Sequence, residues 1–200
     1  TSRADSGDRG NAVEQALAVQ RLHQVQCLAS STDGITFTKL GPVIETPPDP
    51  AIMHFRDPKV WQRHGAWWMA LGARHGDDPQ LLLYRSADLL HWDFLGCALQ
   101  GQREPDGYMW ECPDLFPLGD QHILICCPQG IAREEERFLN TYPAVWMAGG
   151  FDDHRAAFKH GELHELDAGF EFYAPQTMHT SDGRRLLVGW MGVPDGEEML

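Results

Sequence analysis

The sequence lacks features that would each indicate a class of protein. No apolar run is long enough to span a bilayer, and no C-x-x-C pair indicates a zinc site. Basic residues are outnumbered, with 16 Lys and Arg against 29 Asp and Glu, and the net charge is −13. This balance argues against nucleic acid or an anionic membrane as a partner. We therefore expect a protein that binds neither.

The cysteines do not form the even, regularly spaced set of a disulfide framework. The five cysteines are Cys27, Cys97, Cys112, Cys126 and Cys127. We expect all of them to be reduced and mostly buried, in a cytoplasmic protein. The ten histidines are scattered along the chain, so we expect no metal site. Nothing in the sequence calls for a cofactor or predicts an oligomeric state.

Amphipathic helical periods are missing after residue 25. Before that point, residues 11–22 could form a short helix with Asn11 as N-cap and Glu14 three residues later. Residues 1–24 are predicted to be a partly mobile segment. From residue 25 onwards, short apolar runs alternate with Gly, Asp and Pro, which favours an all-β protein. The predicted strands cover residues 25–30, 67–73, 81–86, 91–95, 122–127, 144–149, 171–178 and 184–191.

An internal repeat organises these strands. The pattern S-x-D, followed four residues later by an aromatic residue and then by Gly, starts at Ser31 and again 55 residues later at Ser86. Pro58 and Pro113 show the same offset. Such a period, with several short strands per unit, favours propeller blades. We predict a partial propeller of about three four-stranded antiparallel blades, too few to close on itself.

Two stretches place acidic residues among bulky apolar ones. M-W-E-C-P-D-L-F-P-L carries Glu111 and Asp114, and H-F-R-D-P-K-V-W carries Arg56 and Asp57. Apolar surroundings raise the pKa of a carboxyl group, which a general acid near neutral pH requires. The alternative is a half-buried strand end whose acids are paired with arginine or backbone N–H groups. Asp114 could also cap a turn or anchor the end of a strand.

Equivalent positions in successive blades converge on one channel, so Asp57 and Glu111 are expected to lie within about 10 Å of each other. One feature opposes this expectation. Arg56 and Asp57 are adjacent, and in a regular strand they would point to opposite faces. Pro58 indicates a strand that is irregular at this point, which removes the constraint.

Taken together, R-D-P and E-C-P-D resemble the signature of glycoside hydrolase family 32, the group of invertases, sucrose-6-phosphate hydrolases and fructanases. F-Y-A-P-Q-T from Phe172 and R-R-L-L-V-G-W-M-G from Arg184 resemble later blocks of that family, in the same order. The resemblance implies a five-bladed propeller that hydrolyses terminal β-D-fructofuranoside bonds with retention. It also implies that the partner is a small-molecule fructoside.

The same resemblance implies roles for individual residues. Glu111 would be the general acid/base, and Asp57 would stabilise the oxocarbenium-like transition state. The candidate substrate-binding residues are Arg56, Cys112, Tyr173 and Trp190. Among these, Cys112 would tune the acid/base, although packing roles are alternatives for it and for both aromatic residues. Gln176 is a further candidate for a polar pocket contact.

Part of the family pattern is missing. The family's nucleophile is an Asp in a W-M-N-D-P-N-G block, which this sequence does not contain, and neither the closing part of the propeller nor the C-terminal β-sandwich is present. We therefore expect residues 25–200 to be part of a longer enzyme's propeller and to be inactive alone. Alternatives are a non-catalytic carbohydrate-binding propeller, another five-bladed glycosidase such as an arabinan-degrading enzyme, and a fructosyltransferase of the same family.

Overall fold

Strands dominate the part of the chain that the computed structural model describes, residues 23–169 and 171–192. The strands are β1 (Gln26–Ser30), β2 (Thr38–Ile44), β3 (Ile52–Arg63), β4 (Ala66–His75), β5 (Asp78–Ser86), β6 (Asp93–Gln100), β7 (Met109–Leu118), β8 (Gln121–Gln129), β9 (Val145–Asp152), β10 (Ala157–Glu165), β11 (Tyr173–His179) and β12 (Arg185–Trp190). One four-residue helix, α1 (Arg103–Asp106), precedes β7. Within these ranges no helix has the length and apolar character to cross a membrane. The helix predicted at 11–22, and nearly all of the predicted mobile segment, lie outside the described residues.

The strands form two complete four-stranded antiparallel sheets flanked by two smaller ones. Sheet order follows chain order in both complete sheets, which we call the first blade (β3-β4-β5-β6) and the second blade (β7-β8-β9-β10). The leading sheet, β1-β2, comes before them in the chain, and the trailing sheet, β11-β12, comes after them. The prediction of an all-β partial propeller is confirmed.

The repeated S-x-D pattern shows which part of a blade the leading sheet represents. In the loop between β1 and β2, the Asp33 carboxylate accepts backbone N–H groups two and three residues later, both at 2.8 Å. The Asp88 carboxylate does the same between β5 and β6. The leading sheet therefore corresponds to the outer half of a blade, and the trailing sheet, which begins with a proline motif, corresponds to an inner half.

The first strand of each unit carries the same irregularity. In β3, β7 and β11 the residue before a proline has a positive φ, 64° at Asp57, 50° at Cys112 and 50° at Ala174. The strand register slips at the same three points. Such a bulge changes the direction of the side chains that follow. The expected irregularity near Pro58 is thus present in all three units.

The largest core lies between the first and second blades. Trp68 and Ala70 of β4 point into it, while Met69 and Leu71 of the same strand pack into a second cluster on the other face of the first blade. This alternation is the period of two that a strand dictates. Because both faces of β4 are covered, the strand reads as a continuous apolar run, and for that reason the sequence predicted it well.

The two blades are in close backbone contact where Gly72 of β4 meets Trp110 of β7. A Cβ atom at Gly72 would collide with the carbonyl oxygen of Trp110. A glycine is therefore required at this position for packing rather than for its backbone conformation. The close contact fixes the second blade against the first, directly beside the carboxyl group of Glu111.

Two sequence-based expectations need correction. Strands β2, β3, β7 and β10 were absent from the predicted apolar runs, because they mix charged or polar residues, glycines and prolines into their sequences. All five cysteines are free, as expected, but the expectation that most are buried was wrong: only Cys126 and Cys127 are buried. Cys27 and Cys97 are exposed, since they lie on the peripheral strands β1 and β6.

Candidate active site

The residues that precede the three bulges, Arg56, Glu111 and Tyr173, lie together, and the first and third of them bind the carboxylate of the second. The guanidinium of Arg56 donates to Glu111 Oε1 from Nη2 at 2.7 Å and from Nε at 3.1 Å. The hydroxyl group of Tyr173 donates to the other oxygen, Oε2. Glu111 is thus held through both oxygens by residues from the strands on either side, β3 and β11.

Asp57 lies beside this group and contacts the next residue of β7. Its Oδ2 accepts the backbone N–H of Cys112 at 3.1 Å and lies 3.8 Å from the Cys112 sulfur. Burial and the nearby Asp57 carboxylate raise the pKa of the Cys112 thiol, so the thiol stays protonated and can donate weakly. The direct partner of Cys112 is therefore Asp57 rather than Glu111.

The two acids lie close together because both contact Arg56. Arg56 Nε is 3.9 Å from Asp57 Oδ2 and 3.1 Å from Glu111 Oε1. These two oxygens are therefore at most about 7 Å apart, within the range of carboxyl separations in glycosidases. The geometry agrees with the proximity that the repeat predicted, and the positive φ of Asp57 explains how adjacent residues can serve the same site.

Arg56 has two further partners that sequence reasoning missed. Its guanidinium lies 2.5 Å from His54 Nδ1 and donates to Gln129 Oε1 at 3.1 Å. Burial, followed by the charges of Arg56 and Arg74, lowers the pKa of His54 from 6.5 to about 3. The imidazole is therefore neutral and can accept from Arg56. His54 belongs to the R-D-P stretch, whereas no sequence signal connects Gln129 to it.

Tyr173 is buried, with 5% of its surface exposed. Burial and the charge of Glu111 raise the pKa of its phenol, so the hydroxyl keeps its proton and acts as a donor. Trp190 lies opposite Tyr173 in the β11–β12 ladder, but it is 53% exposed. The structure therefore brings Tyr173 into the group of acids and leaves Trp190 beside it.

The site is only partly open to solvent. The side chain of Asp57 is 30% exposed and that of Glu111 is 15% exposed. A cavity of about 380 Å³, lined in part by Tyr108 and Tyr142, lies behind the residues that surround the site. The ring of Tyr142 packs 6.1 Å from that of Tyr173. Tyr142 thus connects the wall of this cavity to Tyr173, which does not itself line the cavity.

This arrangement suits the chemistry of bond cleavage through a positively charged transition state. Glu111 can give up or take up a proton, and Asp57 is a second carboxylate that can stabilise positive charge nearby. Across the two described ranges, no group of three or more His, Cys, Asp or Glu side chains is placed to hold a metal ion.

Comparisons with known proteins point in one direction. Residues 10–199 match the model of the N-terminal domain of glycosyl hydrolases family 32. A sucrose-6-phosphate hydrolase of Salmonella typhimurium is 66% identical over 88% of this chain and 38% of its own length. A raffinose invertase of Escherichia coli is 46% identical over 87% of this chain and 36% of its own length.

Solved structures agree. The beta-fructofuranosidase of Bombyx mori, a mutant of which was solved in complex with sucrose, is similar with a TM-score of 0.81. It is 39% identical, and the match covers 86% of this chain and 37% of that one. This chain thus spans less than two fifths of the length of these proteins.

Proposed function

Because the chain belongs to glycosyl hydrolase family 32, we propose that it is part of an enzyme that hydrolyses terminal β-D-fructofuranoside bonds. We call that longer protein the parent enzyme, since the chain covers only 38% of its Salmonella relative. The names of the relatives support sucrose 6-phosphate or sucrose as the substrate, and raffinose as a further one. They also favour hydrolysis over fructosyl transfer.

One observation carries this proposal. Glu111, on the second blade, and Asp57, on the first, lie 2.7 Å and 3.9 Å from the guanidinium of the same residue, Arg56. A non-catalytic carbohydrate-binding propeller would not need a glutamate held through both oxygens in a half-buried setting. Hydrolysis of a glycoside does need carboxyl groups in defined places.

In the proposed mechanism Glu111 is the general acid and base. It protonates the leaving oxygen as the glycosidic bond breaks, and it later takes a proton from the attacking water. Asp57 stabilises the positive charge that develops on the fructosyl ring and binds its hydroxyl groups. Arg56 fixes the two carboxylates relative to each other, because its guanidinium lies beside both of them.

The remaining candidates act through these two acids. Cys112 donates to Asp57 and orients it, and Tyr173 donates to Glu111. Trp190 is exposed beside Tyr173, where its ring could stack on a sugar. Retention also needs a nucleophilic carboxylate about 5 Å from the acid/base. We assign that group to the W-M-N-D-P-N-G block of the family, which is not in this sequence.

We further propose that the parent enzyme is cytoplasmic and that its partner is the small fructoside alone. The five free cysteines fit a reducing compartment. The negative net charge fits a protein without nucleic acid or anionic membrane as partner.

The proposal is tested by product analysis. The parent enzyme is incubated with sucrose, sucrose 6-phosphate, raffinose and inulin, and released fructose and its anomeric configuration are measured. We expect hydrolysis with retention, and the highest kcat/KM with sucrose or its 6-phosphate. The 200-residue chain alone is expected to release no fructose. An inactive parent enzyme, or inversion at the anomeric carbon, would contradict the proposal.

A further inference from the structure

A buried carboxylate lies on β7 just after the bulge that follows Glu111. Asp114, three residues after Glu111 in β7, is 1% exposed. Its Oδ2 accepts the backbone N–H of Thr177 at 2.6 Å and the Thr177 hydroxyl at 2.8 Å, and it lies 3.1 Å from Lys59 Nζ. A buried charge is unfavourable unless it is paired and hydrogen-bonded. Asp114 meets that condition through Oδ2, whose partners come from β3 and β11, while its Oδ1 is buried without a hydrogen-bond partner among the described residues. Its contacts are therefore those between strands rather than those of a turn cap.

These contacts connect three units that their backbones leave separate. Strands β3, β7 and β11 belong to three different sheets, so the ladder within one sheet does not fix its distance to the next. Side chains must do so. The group formed by Lys59, Asp114 and Thr177, which we call the clasp, takes one residue from each of the three strands.

Lys59 extends the clasp back toward the acids. Besides Asp114, its ammonium donates to the Thr177 carbonyl at 2.6 Å and to Gln176 Oε1 at 3.1 Å. The amide nitrogen of Gln176 donates in turn to the carbonyl of Cys112 at 3.0 Å. The network therefore ends on the residue directly after Glu111, inside the bulge of β7.

The clasp and the Glu111 contact are consecutive steps between the same two strands. Glu111 and Asp114 flank the bulge in β7, whereas in β11 Tyr173 and Gln176 flank the corresponding bulge and Thr177 is the next residue. A shift of β11 along or away from β7 would move the Tyr173 hydroxyl off the Glu111 carboxylate. Contact between these two groups therefore depends on the clasp.

We propose that Asp114 is a positioning residue, which locks β11 against β7 and thereby holds the acid/base Glu111 in its working geometry. This inference rests on the proposed function, because it assigns Glu111 the proton transfer. Asp114 touches none of the groups assigned to the substrate. It acts through Thr177 and Tyr173 on one side, and through Lys59, Gln176 and Cys112 on the other.

The first test is Asp114→Asn in the parent enzyme. The amide can still accept from Thr177, but it no longer carries the charge that pairs with Lys59. We expect kcat with sucrose to fall about 10- to 100-fold, the scale of a small misplacement of a reacting group. KM should change little. With an activated aryl fructoside, whose leaving group needs no proton, the loss in kcat should be several-fold smaller.

A double variant distinguishes a role of Asp114 in positioning Glu111 from a role in stability alone. Lys59→Met with Asp114→Leu removes both charges, and replacing a buried ion pair by apolar side chains is often neutral or stabilising. We expect its Tm to return toward the wild-type value while kcat stays low, because the bonds to Thr177 are gone. If kcat recovers together with Tm, Asp114 is only structural. Thr177→Val, which loses a single hydroxyl and no charge, gives a milder loss of kcat and serves as the test if the variants that remove a charge fold poorly.

Asp153→Asn is the matched control. Asp153, after β9, accepts Arg63 of β3 at 2.8 Å through both oxygens, so it also ties the first blade to the second, away from the acids. We expect a lower Tm and unchanged kcat. A wild-type enzyme that releases no fructose would overturn the proposed function. An active wild type with an equally active Asp114→Asn variant, or equal losses on both classes of leaving group, would overturn the positioning role alone.

Discussion

The first and second blades have similar backbone conformations but differ in charge at equivalent positions. Fifty-five residues separate Arg56 from Glu111 and Lys59 from Asp114. In both pairs the first blade supplies the cation and the second supplies the carboxylate. Both blades have a bulge at the equivalent proline of their first strand, so the two strands have similar backbones. Each cation of the first blade therefore lies next to the carboxylate at the equivalent position of the second.

This difference shows how a repeat becomes an active site. Identical blades would place like charges side by side around the channel, and like charges repel. Divergence at two positions converts the repulsion into ion pairs, and it leaves one acid of the second blade poised for chemistry. For the pair of Arg56 and Glu111, the comparison predicts that the two members are unequal: Glu111 reacts, and Arg56 positions it.

The strongest test of that inequality compares Glu111→Gln with Arg56→Lys in the parent enzyme. Loss of general acid catalysis should lower kcat with sucrose by about 10²–10⁴-fold. Arg56→Lys keeps the charge but loses the fork, and it should lower kcat/KM by about 10- to 100-fold. Steady-state kinetics with sucrose and with an activated aryl fructoside separate the two cases.

The Glu111 variant should lose far more activity with sucrose than with the activated substrate, whereas the Arg56 variant should lose similar amounts with both. Glu162→Gln, at an exposed position of β10, serves as the control with unchanged kinetics. A Glu111→Gln enzyme that loses the same factor on both substrates would remove the acid role from Glu111.

Sequence reasoning predicted part of this arrangement. The 55-residue offset was visible in the Ser31 and Ser86 patterns and in the prolines, and it led to the expectation that Asp57 and Glu111 lie close together, but not to the pairing of Arg56 with Glu111. The contact between Asp57 and Cys112 could not be predicted, because it depends on the positive φ of Asp57 inside a bulge. Nor could the partnership of Arg56 with Gln129, since it depends on how β8 lies against β3 across two sheets.

A second difference between the blades lies on the adjacent strands. Gly72 of the first blade corresponds to Cys127 of the second, as the strand registers confirm. Gly72 packs against the backbone of Trp110, whereas the Cys127 side chain is buried in a cluster with Tyr173. At this position the first blade therefore leaves room only for the backbone of its neighbour, whereas the second blade fills the corresponding space with a side chain.

Gly72→Ala should consequently destabilise the parent enzyme by about 1–3 kcal/mol, because the added methyl group overpacks the contact between blades. Thermal or urea unfolding measures the change. Gly150→Ala is the control, since a Cβ at that strand position of β9 would contact nothing within 4 Å. If both variants had the same stability, the close approach at Gly72 would not limit the packing of the blades.

The smallest predicted effect concerns pH and a third pair, His54 and Met109, which are also 55 residues apart and both buried. Only the first blade has a titratable group at this position. His54 has its pKa lowered from 6.5 to about 3 in the folded protein. Between these values the unfolded chain binds one more proton than the folded chain, so lowering the pH favours unfolding. The stabilising contribution of neutral His54 is complete above pH 6.5 and is lost progressively as the pH falls toward 3.

His54→Gln removes this titration while keeping an acceptor for Arg56. Unfolding free energies measured between pH 7.5 and pH 5 should fall less steeply in the variant, by at most about 2 kcal/mol at pH 5. His23→Gln, at an exposed position, should keep the wild-type slope. Parallel pH profiles for wild type and His54→Gln would show that His54 takes up its proton equally well in the folded and unfolded chain. In that case the folded protein would not favour the neutral imidazole, and the support for Arg56 at low pH would rest on Gln129 and the two carboxylates.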